Sequence, residues 1–448
     1  MKLADNFFSS NAVANTSDIQ DAINYSSYSM DRVVELPAGL IPFTRLFFYY
    51  DPILNPGYNP NLKQGLVILQ GAGTLDIGYS INKNYSLGTM LKSNYTGSGA
   101  VISLGSAALG HNTSPYKTRK SSLRDISIIS NNPGFVVEAQ GNPEMDWERV
   151  VIVQEHENGS GLLTGSFWFG KLDKTFIINN SINTKTGTGI SFYNGTNGGL
   201  FSLDKSLIDG FYTGIKHESD SMFFSNVNIT NSAIQKCENG IDIASRLVSL
   251  NIEKSHFEGC NTDVITSANI DSLSLNEIYV SGRNGKSNPN LVLDGGIRIL
   301  NARNINLRDG QSDYIQLGSN TSSINNFVDM WGVNYFHGSP GTINRPITSI
   351  SNNGNGKCRV RINSHNYLTG RKVVLKNTPY DGEYLITVID NNNIDLDTST
   401  YSATYVSGGT CSLLCHAIRN MGGIPLDNIN IKAMVCSDFG VDFIRGIH

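Results

Sequence analysis

Cysteine, proline and charge are all scarce in this chain, and each scarcity removes a class of protein. The 448 residues include 6 cysteines, which are too few for a disulfide scaffold and lack the paired CxxC spacing of a zinc site. Only 16% of residues are charged, the net charge is −4, and no run of lysines occurs, so nothing marks a nucleic-acid binder. The 45 glycines against 13 prolines indicate many turns rather than disorder.

Long apolar runs are missing as well. Residues 1–18 lack the apolar core of a signal peptide, and no stretch approaches the roughly 18 apolar residues of a membrane span. We therefore expect no membrane insertion, and synthesis in the cytoplasm without a signal peptide. Cys237 and Cys260 lie about one repeat apart and are predicted to stack as free thiols, which fits assembly in a reducing cytosol.

What the chain does contain is a repeat of about 24 residues between Phe176 and Leu275. Its apolar column is predicted at Ile178, Leu203, Ile229, Ile252 and Leu275. A serine column runs beside it at Ser181, Ser206, Ser232 and Ser255. A glycine followed by isoleucine recurs at Gly189-Ile190, Gly214-Ile215 and Gly240-Ile241. Such a period is too short for a helix pair but suits one coil of a parallel β-helix, with strands stacked roughly 4.8 Å apart.

The N-terminal region has the features of a solenoid cap. Residues 16–24 predict a short helix, with Thr16 or Ser17 as its N-cap and Ile19, Ala22 and Ile23 on one face. The segments DIQDAI, VVELPAG and GLVILQGAGT follow in order. Together they resemble the N-terminal signature of pectate-lyase-like right-handed β-helices, especially bacteriophage tailspikes and capsule depolymerases. The resemblance covers residues 15–338 and implies that the helix caps the solenoid.

The predicted fold is therefore all-β: a right-handed parallel β-helix solenoid with an N-terminal capping helix and a small C-terminal antiparallel β module. The cap helix and entry strands are assigned to residues 1–65 and the β-helix to residues 66–338. Short strands between Gly and Asn turns assign the small module to residues 347–414, and the C-terminal strands take residues 415–448. The run HNYLTGRKVVLKNTPYDGEYLITVIDNNNIDLD also resembles a β module of phage tail proteins.

Strand alternation predicts which side chains of the repeat face solvent. If Ile190, Ile215 and Ile241 point inward, residues two and four past each glycine point outward. The exposed patch then holds the side chains Tyr193, Lys216, Glu218, Asp220, Asp242 and Arg246. Glu218 and Asp242 lie on adjacent coils with Cα atoms roughly 8 Å apart, within reach of the carboxyl separations of glycosidases.

These residue types suit cleavage of a glycosidic bond. Glu218, Asp242 and Asp220 are the predicted catalytic acids, because one carboxyl must protonate the leaving oxygen while another supplies or activates the nucleophile. Tyr193 and Trp168 can stack on sugar rings, and Lys216 or Arg246 can pair with an acidic sugar. Trp168 also fits core packing, and Trp331 and Tyr335 have the same two interpretations.

Two alternatives stay open at this point. Exposed acids on a solenoid face are commonly solvating charge, and a rival acidic set lies on a different sheet at Asp204, Asp209, Glu253 and Glu258. His217 is expected to point inward as a core residue. No dense aspartate cluster of the kind that holds calcium in pectate lyases is found, so no metal and no other cofactor are predicted.

The resemblance implies a function and a setting. It points to a homotrimeric tailspike depolymerase of the virion tail, attached to other phage tail proteins and acting outside the host cell. Its expected partner is a bacterial capsular or O-antigen polysaccharide, which an endo-glycosidase reaction cleaves. A polysaccharide lyase using Tyr193 or Lys216, and a receptor-binding spike that does not cleave, are the alternatives. Many tailspikes have a particle-binding domain before the cap helix, whereas about 15 residues precede the helix in this chain. We therefore expect either that the chain is a fragment or that it docks through another protein.

Overall fold

The structure is a computed structural model. It describes residues 1–3, 8–29, 32–49, 67–74, 88–105, 121–140, 144–165, 169–192, 198–218, 224–281, 289–295, 297–308, 315–318, 327–336, 345–365, 367, 369–413, 418–420, 429–432, 435–436 and 444–446. Within these residues one helix, α1 (Ala12–Tyr28), precedes a long series of short strands.

The strands from the cap to the end of the repeat are, in chain order, β1 (Val33–Glu35), β2 (Gly39–Phe43), β3 (Leu46–Phe47), β4 (Ile68–Gln70), β5 (Thr89–Ser93), β6 (Ile102–Gly105), β7 (Ser122–Ser130), β8 (Phe135–Gln140), β9 (Glu144–Gln154), β10 (Ser160–Gly165), β11 (Phe169–Asp173), β12 (Phe176–Asn179), β13 (Thr188–Phe192), β14 (Gly198–Asp204), β15 (Leu207–Asp209), β16 (Thr213–His217), β17 (Phe224–Thr230), β18 (Ala233–Gln235), β19 (Asn239–Ile243), β20 (Leu247–Glu253), β21 (His256–Glu258), β22 (Thr262–Thr266), β23 (Ile270–Asn276) and β24 (Tyr279–Ser281).

The remaining strands are β25 (Leu291–Leu293), β26 (Ile297–Arg308), β27 (Ile315–Leu317), β28 (Phe327–Phe336), β29 (Arg345–Pro346), β30 (Ser349–Asn352), β31 (Cys358–Arg361), β32 (Lys372–Lys376), β33 (Gly382–Asp390), β34 (Asn393–Leu396), β35 (Thr410–Leu413), β36 (Ile418–Asn420), β37 (Ile429–Lys432), β38 (Val435–Cys436) and β39 (Ile444–Gly446).

Two parallel sheets form the solenoid. One has 20 strands and takes two from most coils, as with β20 and β21; the other has 12 strands and takes one from each coil, as with β22. Each strand pairs in parallel with its counterpart one coil away, for example β17 with β20 and β20 with β23. The predicted parallel β-solenoid is therefore confirmed.

The glycine–isoleucine column lies where the sequence predicts it. Ile190, Ile215 and Ile241 stand in register on β13, β16 and β19 and are fully buried. Burying each such side chain stabilises the fold by about 1.5–3 kcal/mol. A Cβ added at Gly214 would lie 2.5 Å from the carbonyl oxygen of Gly240, so the close approach of successive coils requires glycine there.

The predicted apolar column is wrong in its first member. Leu203, Ile229 and later members align and are buried, but the position before Leu203 belongs to Leu172, whereas Ile178 pairs with Asp209. The reason is an uneven coil length, since an eight-residue loop, residues 180–187, follows β12 before β13 begins. Counting back by a constant period therefore ends on the wrong strand of this coil.

The serine column has the same correction and forms a hydrogen-bonded ladder. The hydroxyl of Ser232 accepts a hydrogen bond from the backbone N–H of Ser206 at 3.1 Å and donates to the carbonyl of Thr230 at 2.7 Å. The hydroxyl of Ser206 accepts a hydrogen bond from the backbone N–H of Thr175 at 3.0 Å in the same way. Thr175, and not Ser181, therefore occupies the first position of the column. These bonds satisfy backbone groups that the corner between two strands leaves unpaired.

The helix closes the N-terminal end of the solenoid. It begins earlier than predicted because Asn11, and not Thr16 or Ser17, caps it: the Asn11 side chain accepts hydrogen bonds from the backbone N–H groups of Val13 and Ala14 at 3.0 and 3.3 Å. The predicted apolar face of Ile19, Ala22 and Ile23 is buried. The capping helix is thus confirmed, with a different N-cap.

The antiparallel module lies between two parts of the solenoid. Strands β29–β35 form a seven-stranded antiparallel sheet around their own core, which includes Val360, Val373 and Ile386. Beyond them, β36 pairs in parallel with β27, and β37 and β38 pair in parallel with β28. The solenoid therefore extends past the predicted boundary at residue 338, and the module interrupts it.

Two further expectations concern cysteines and membranes. Cys237 and Cys260 are both buried and free, as predicted. In the part of the chain that the structure describes, no helix combines the length and hydropathy needed to cross a membrane.

Candidate functional site

Lys216, Glu218, Asp242 and Arg246, here called the acid patch, lie where strands of the 12-stranded sheet end. Lys216 on β16 stands directly opposite Asp242 on β19. The pairing continues beyond the strands, because the backbone N–H of Ala244 donates to the carbonyl of His217 at 3.0 Å. Glu218 therefore stays next to the coil of Asp242, two residues further along, with Cα atoms roughly 8 Å apart.

The two carboxyl groups of the acid patch have different surroundings. Asp242 is half-buried and Glu218 is exposed, where Lys216 forms an ion pair with it. Burial raises the pKa of Asp242 above its ordinary value; the ammonium of Lys216 opposes this shift and the carboxylate of Glu218 adds to it. One carboxyl with a raised pKa beside another that is ion-paired is the arrangement that acid catalysis of glycoside cleavage uses.

His217 lies beneath this patch and not in it. Its side chain is buried in the core beside Phe192, with ring centroids 6.2 Å apart. Desolvation lowers the pKa of His217 to about 4, so the ring is neutral near pH 7. The predicted inward orientation is confirmed.

Of the other predicted site residues, the structure describes Arg246 alone. Arg246 is exposed, and its guanidinium lies 3.8 Å from the carboxylate of Asp271. Asp220, Tyr193 and Trp168 fall outside the described residues, so the assignment of a third acid and of the stacking aromatics stays a prediction.

Two acids of the rival set, Asp204 and Asp209, are held in side-chain contacts on the 20-stranded sheet. Burial alone would raise the pKa of Asp204. Hydrogen bonds from Asn231 and Thr230, both at 2.9 Å, help to lower it, and the net shift of the pKa is downward. Asp209 pairs with Lys236 at 3.2 Å. A carboxyl whose pKa is lowered is a poorer proton donor, so Asp204 suits the role of general acid less well than Asp242.

A second concave surface, here called the tryptophan groove, lies on the 20-stranded sheet and encloses about 440 Å³. Two columns run along it in register. One is Glu253, Asn276, Arg303 and Trp331, and the other includes Asn251, Ser274 and Asn301. Trp331 is 49% exposed.

The charges of the tryptophan groove are few and balanced. Glu253 lies 3.4 Å from Lys254, and Arg303 lies 4.0 Å from Asp329. Glu253 is the only carboxylate among the described residues that line the groove. The next acid in the column of Glu253 is Asp204, two coils before it, with Cα atoms roughly 10 Å apart. Asp204 lies outside the groove, and its carboxylate accepts hydrogen bonds from Thr230 and Asn231.

Sequence reasoning named Trp331, and Glu253 as a member of the rival acidic set, but missed the other residues of this groove. The asparagines and Arg303 carry no motif of their own, and the register that aligns Arg303 with Trp331 depends on the two long strands β26 and β28. The available signal was the recurrence of asparagine at outward positions of β20, β23 and β26, which marks a polar face that is not charged.

No metal centre accompanies either surface within the described residues, where no cluster of three or more His, Cys, Asp and Glu side chains has the geometry to hold an ion. The chemistry argued for the acid patch needs only its own side chains.

Comparisons with known proteins give similarity at the level of structure. No protein-family model matches the chain, and no curated protein sequence matches it. Among solved structures, it is similar to the ORF18 protein of Geobacillus virus E2, with 14% identity, a TM-score of 0.39, and 93% of this chain and 74% of that chain covered.

The chain is also similar to tailspike protein 2 of an Escherichia coli O157:H7 bacteriophage. The full-length protein is 12% identical with a TM-score of 0.34, and the match covers 82% of this chain and 53% of that one. Its enzymatically active domain gives 12% identity, a TM-score of 0.35 and coverage of 82% and 60%. The predicted resemblance to tailspikes is confirmed for the fold alone, and these similarities carry no argument about activity.

Proposed function

We propose that this chain binds a bacterial surface polysaccharide and cleaves it by hydrolysis at the acid patch. Asp242 is the general acid that protonates the leaving glycosidic oxygen. Glu218 is the second carboxylate, which stabilises the developing positive charge or activates the nucleophile. Lys216 and Arg246 orient the substrate, and Tyr193 and Trp168 are the proposed stacking residues.

One observation carries this proposal: the half-buried Asp242, with its raised pKa, lies on the coil next to the exposed Glu218. A general acid must keep its proton until the bond breaks, and burial favours the protonated form. The Cα separation of roughly 8 Å lets flexible side chains set the carboxyl groups at glycosidase distances. A lyase reaction with Lys216 as base fits less well, because its ammonium is engaged by Glu218.

The biological setting is part of the same proposal. A phage tailspike that assembles as a homotrimer on the virion tail, attached to other tail proteins, presents such a solenoid to the outside of a bacterium. Tailspikes are among the solved structures of similar fold, and the low identity leaves the setting a matter for experiment.

The decisive experiment incubates the purified chain with capsule and O-antigen preparations from a panel of bacteria. We expect the release of oligosaccharides with new reducing ends from at least one preparation. Products that absorb in the ultraviolet as unsaturated uronates would show that the reaction is an elimination and not a hydrolysis. Binding without any product would replace the enzyme by a spike that recognises its receptor and does not cleave it, a function that the tryptophan groove by itself can serve.

A further inference from the structure

The tryptophan groove is spatially separate from the acid patch. The patch lies at the end of β16 and β19, on coils that precede most of the groove, whereas Glu253 of the groove stands at the far end of β20. From Arg246 at the patch to Glu253 the chain runs seven residues of extended strand, roughly 23 Å. One or two sugar rings cannot occupy both places.

We infer that the tryptophan groove is a second carbohydrate site, which holds a neutral segment of roughly two or three sugar rings without cleaving it. This inference goes beyond the proposed cleavage and rests on the proposed function only in taking carbohydrate as the partner. Three properties of the groove support it: its hydrogen-bonding groups, its charge and its dimensions.

The hydrogen-bonding groups match hydroxyls. Each asparagine side chain offers donors and an acceptor at one tip, as a sugar ring does with its neighbouring hydroxyl groups. Asn251, Asn276 and Asn301 present such groups on three successive coils, and the exposed indole of Trp331 gives the apolar face of a ring a surface to pack against. A purely apolar ligand would displace water from these amides without replacing its hydrogen bonds, which disfavours such a ligand.

The charge of the groove argues for a neutral ligand. Its two charged side chains have opposite sign, and each already has a counter-charge nearby, Lys254 for Glu253 and Asp329 for Arg303. An anionic sugar or a nucleic-acid phosphate would meet no uncompensated cation among the described lining residues.

The dimensions match a short oligosaccharide. The four coils from Glu253 to Trp331 span roughly 14 Å along the solenoid axis. The volume of about 440 Å³ lies within the usual range of small-ligand sites. Because the columns run along the axis, the bound segment lies along the solenoid.

The test is an array of bacterial capsule and O-antigen polysaccharides, neutral and acidic, probed with the full chain. We expect binding to at least one polysaccharide with a neutral segment, measured in the Glu218→Gln, Asp242→Asn double variant so that the polymer is not cleaved during the assay. Trp331→Ala is expected to weaken this binding roughly 30-fold or more, as loss of a central aromatic anchor does. Trp331→Tyr, which keeps an aromatic face, is expected to stay within about fivefold of the parent.

Tyr212→Ala is the matched control, because Tyr212 is an equally exposed aromatic residue at 47% that lies in neither surface. Parent-like binding by Trp331→Ala, binding confined to acidic polysaccharides, or no binding to any member of the array would each overturn the inference. Failure of the proposed function has a different signature: the bound polysaccharide yields no fragments while Trp331→Ala still loses binding.

Discussion

The acid patch and the tryptophan groove occupy the same solenoid and differ in almost every physical property that matters to a ligand. The patch has carboxylates on adjacent coils, one of them half-buried with a raised pKa. The groove has one carboxylate, several amides and an exposed indole. The difference shows that a repeated backbone does not make repeated chemistry: outward positions are independent of the core and can specialise coil by coil.

The largest expected effect tests whether cleavage belongs to the acid patch. Asp242→Asn and Glu218→Gln should each lower the rate of polysaccharide cleavage by roughly 10²–10⁴-fold, the usual contribution of a positioned acid or base. In the parent, activity should fall as pH rises through the raised pKa of Asp242, because the general acid then loses its proton. Rates of reducing-end release measure both.

Glu258→Gln is the control, since Glu258 is an exposed acid of the rival set on the other sheet. Full activity in both patch variants would move the cleavage site away from the patch, and loss of activity in Glu258→Gln with an unchanged fold would move it to the 20-stranded sheet.

The second effect is an acid sensitivity located beneath the patch. His217 has its pKa lowered to about 4 in the fold, against 6.5 when unfolded. The unfolded chain therefore takes up this proton first as pH falls, and stability present above pH 6.5 is lost between 6.5 and 4, by about 3 kcal/mol. His217→Phe, which repeats Phe192 of the preceding coil, should flatten this dependence in urea titrations. An unchanged slope would show that the ring does not titrate as argued.

The third effect concerns the serine ladder at the corners that follow β14 and β17 on the 20-stranded sheet. Ser232→Ala removes the acceptor of the Ser206 N–H and should lower the free energy of unfolding by about 1–3 kcal/mol. Ser181→Ala, at a position that the sequence pattern assigned to the ladder and the structure does not, should change it by less than about 0.5 kcal/mol. Equal effects in thermal or urea unfolding would contradict the ladder.

The smallest effect separates holding from cleaving. Arg303→Gln in the groove should raise KM for the polymer about fivefold, corresponding to one hydrogen bond of about 1 kcal/mol, with kcat unchanged. Short oligosaccharides that occupy only the patch should be cleaved as before. Arg298→Gln, an exposed arginine of the same strand β26, is the control. A fall in kcat in Arg303→Gln would show that the groove and the acid patch act as one site.

The parts of the fold that follow from side-chain chemistry could be predicted from the sequence. Glycine recurs before the inward isoleucines because a Cβ there would collide with the carbonyl oxygen of the next coil, and that register placed Lys216 opposite Asp242. The parts that depend on loop length could not be predicted. Because the loop after β12 is longer, a constant period assigned the first position of each column to the wrong residue, and Thr175 was missed as a member of the ladder. The groove could not be predicted either, because it depends on the pairing of β26 with β28, and no sequence repeat marks that register.

The interruption of the solenoid by the antiparallel module constrains how the chain folds. Neighbouring coils elsewhere join residues about 25 positions apart, whereas the Asn430 amide donates to Asp329 across 101 positions at 2.8 Å. A fourfold longer loop costs about 1.2 kcal/mol more in closure entropy. If residues 345–413 fold first on their own core, they bring the ends of that loop together. The last coil then forms only after the module, so a substitution that unfolds the module should also delay completion of the solenoid at its C-terminal end.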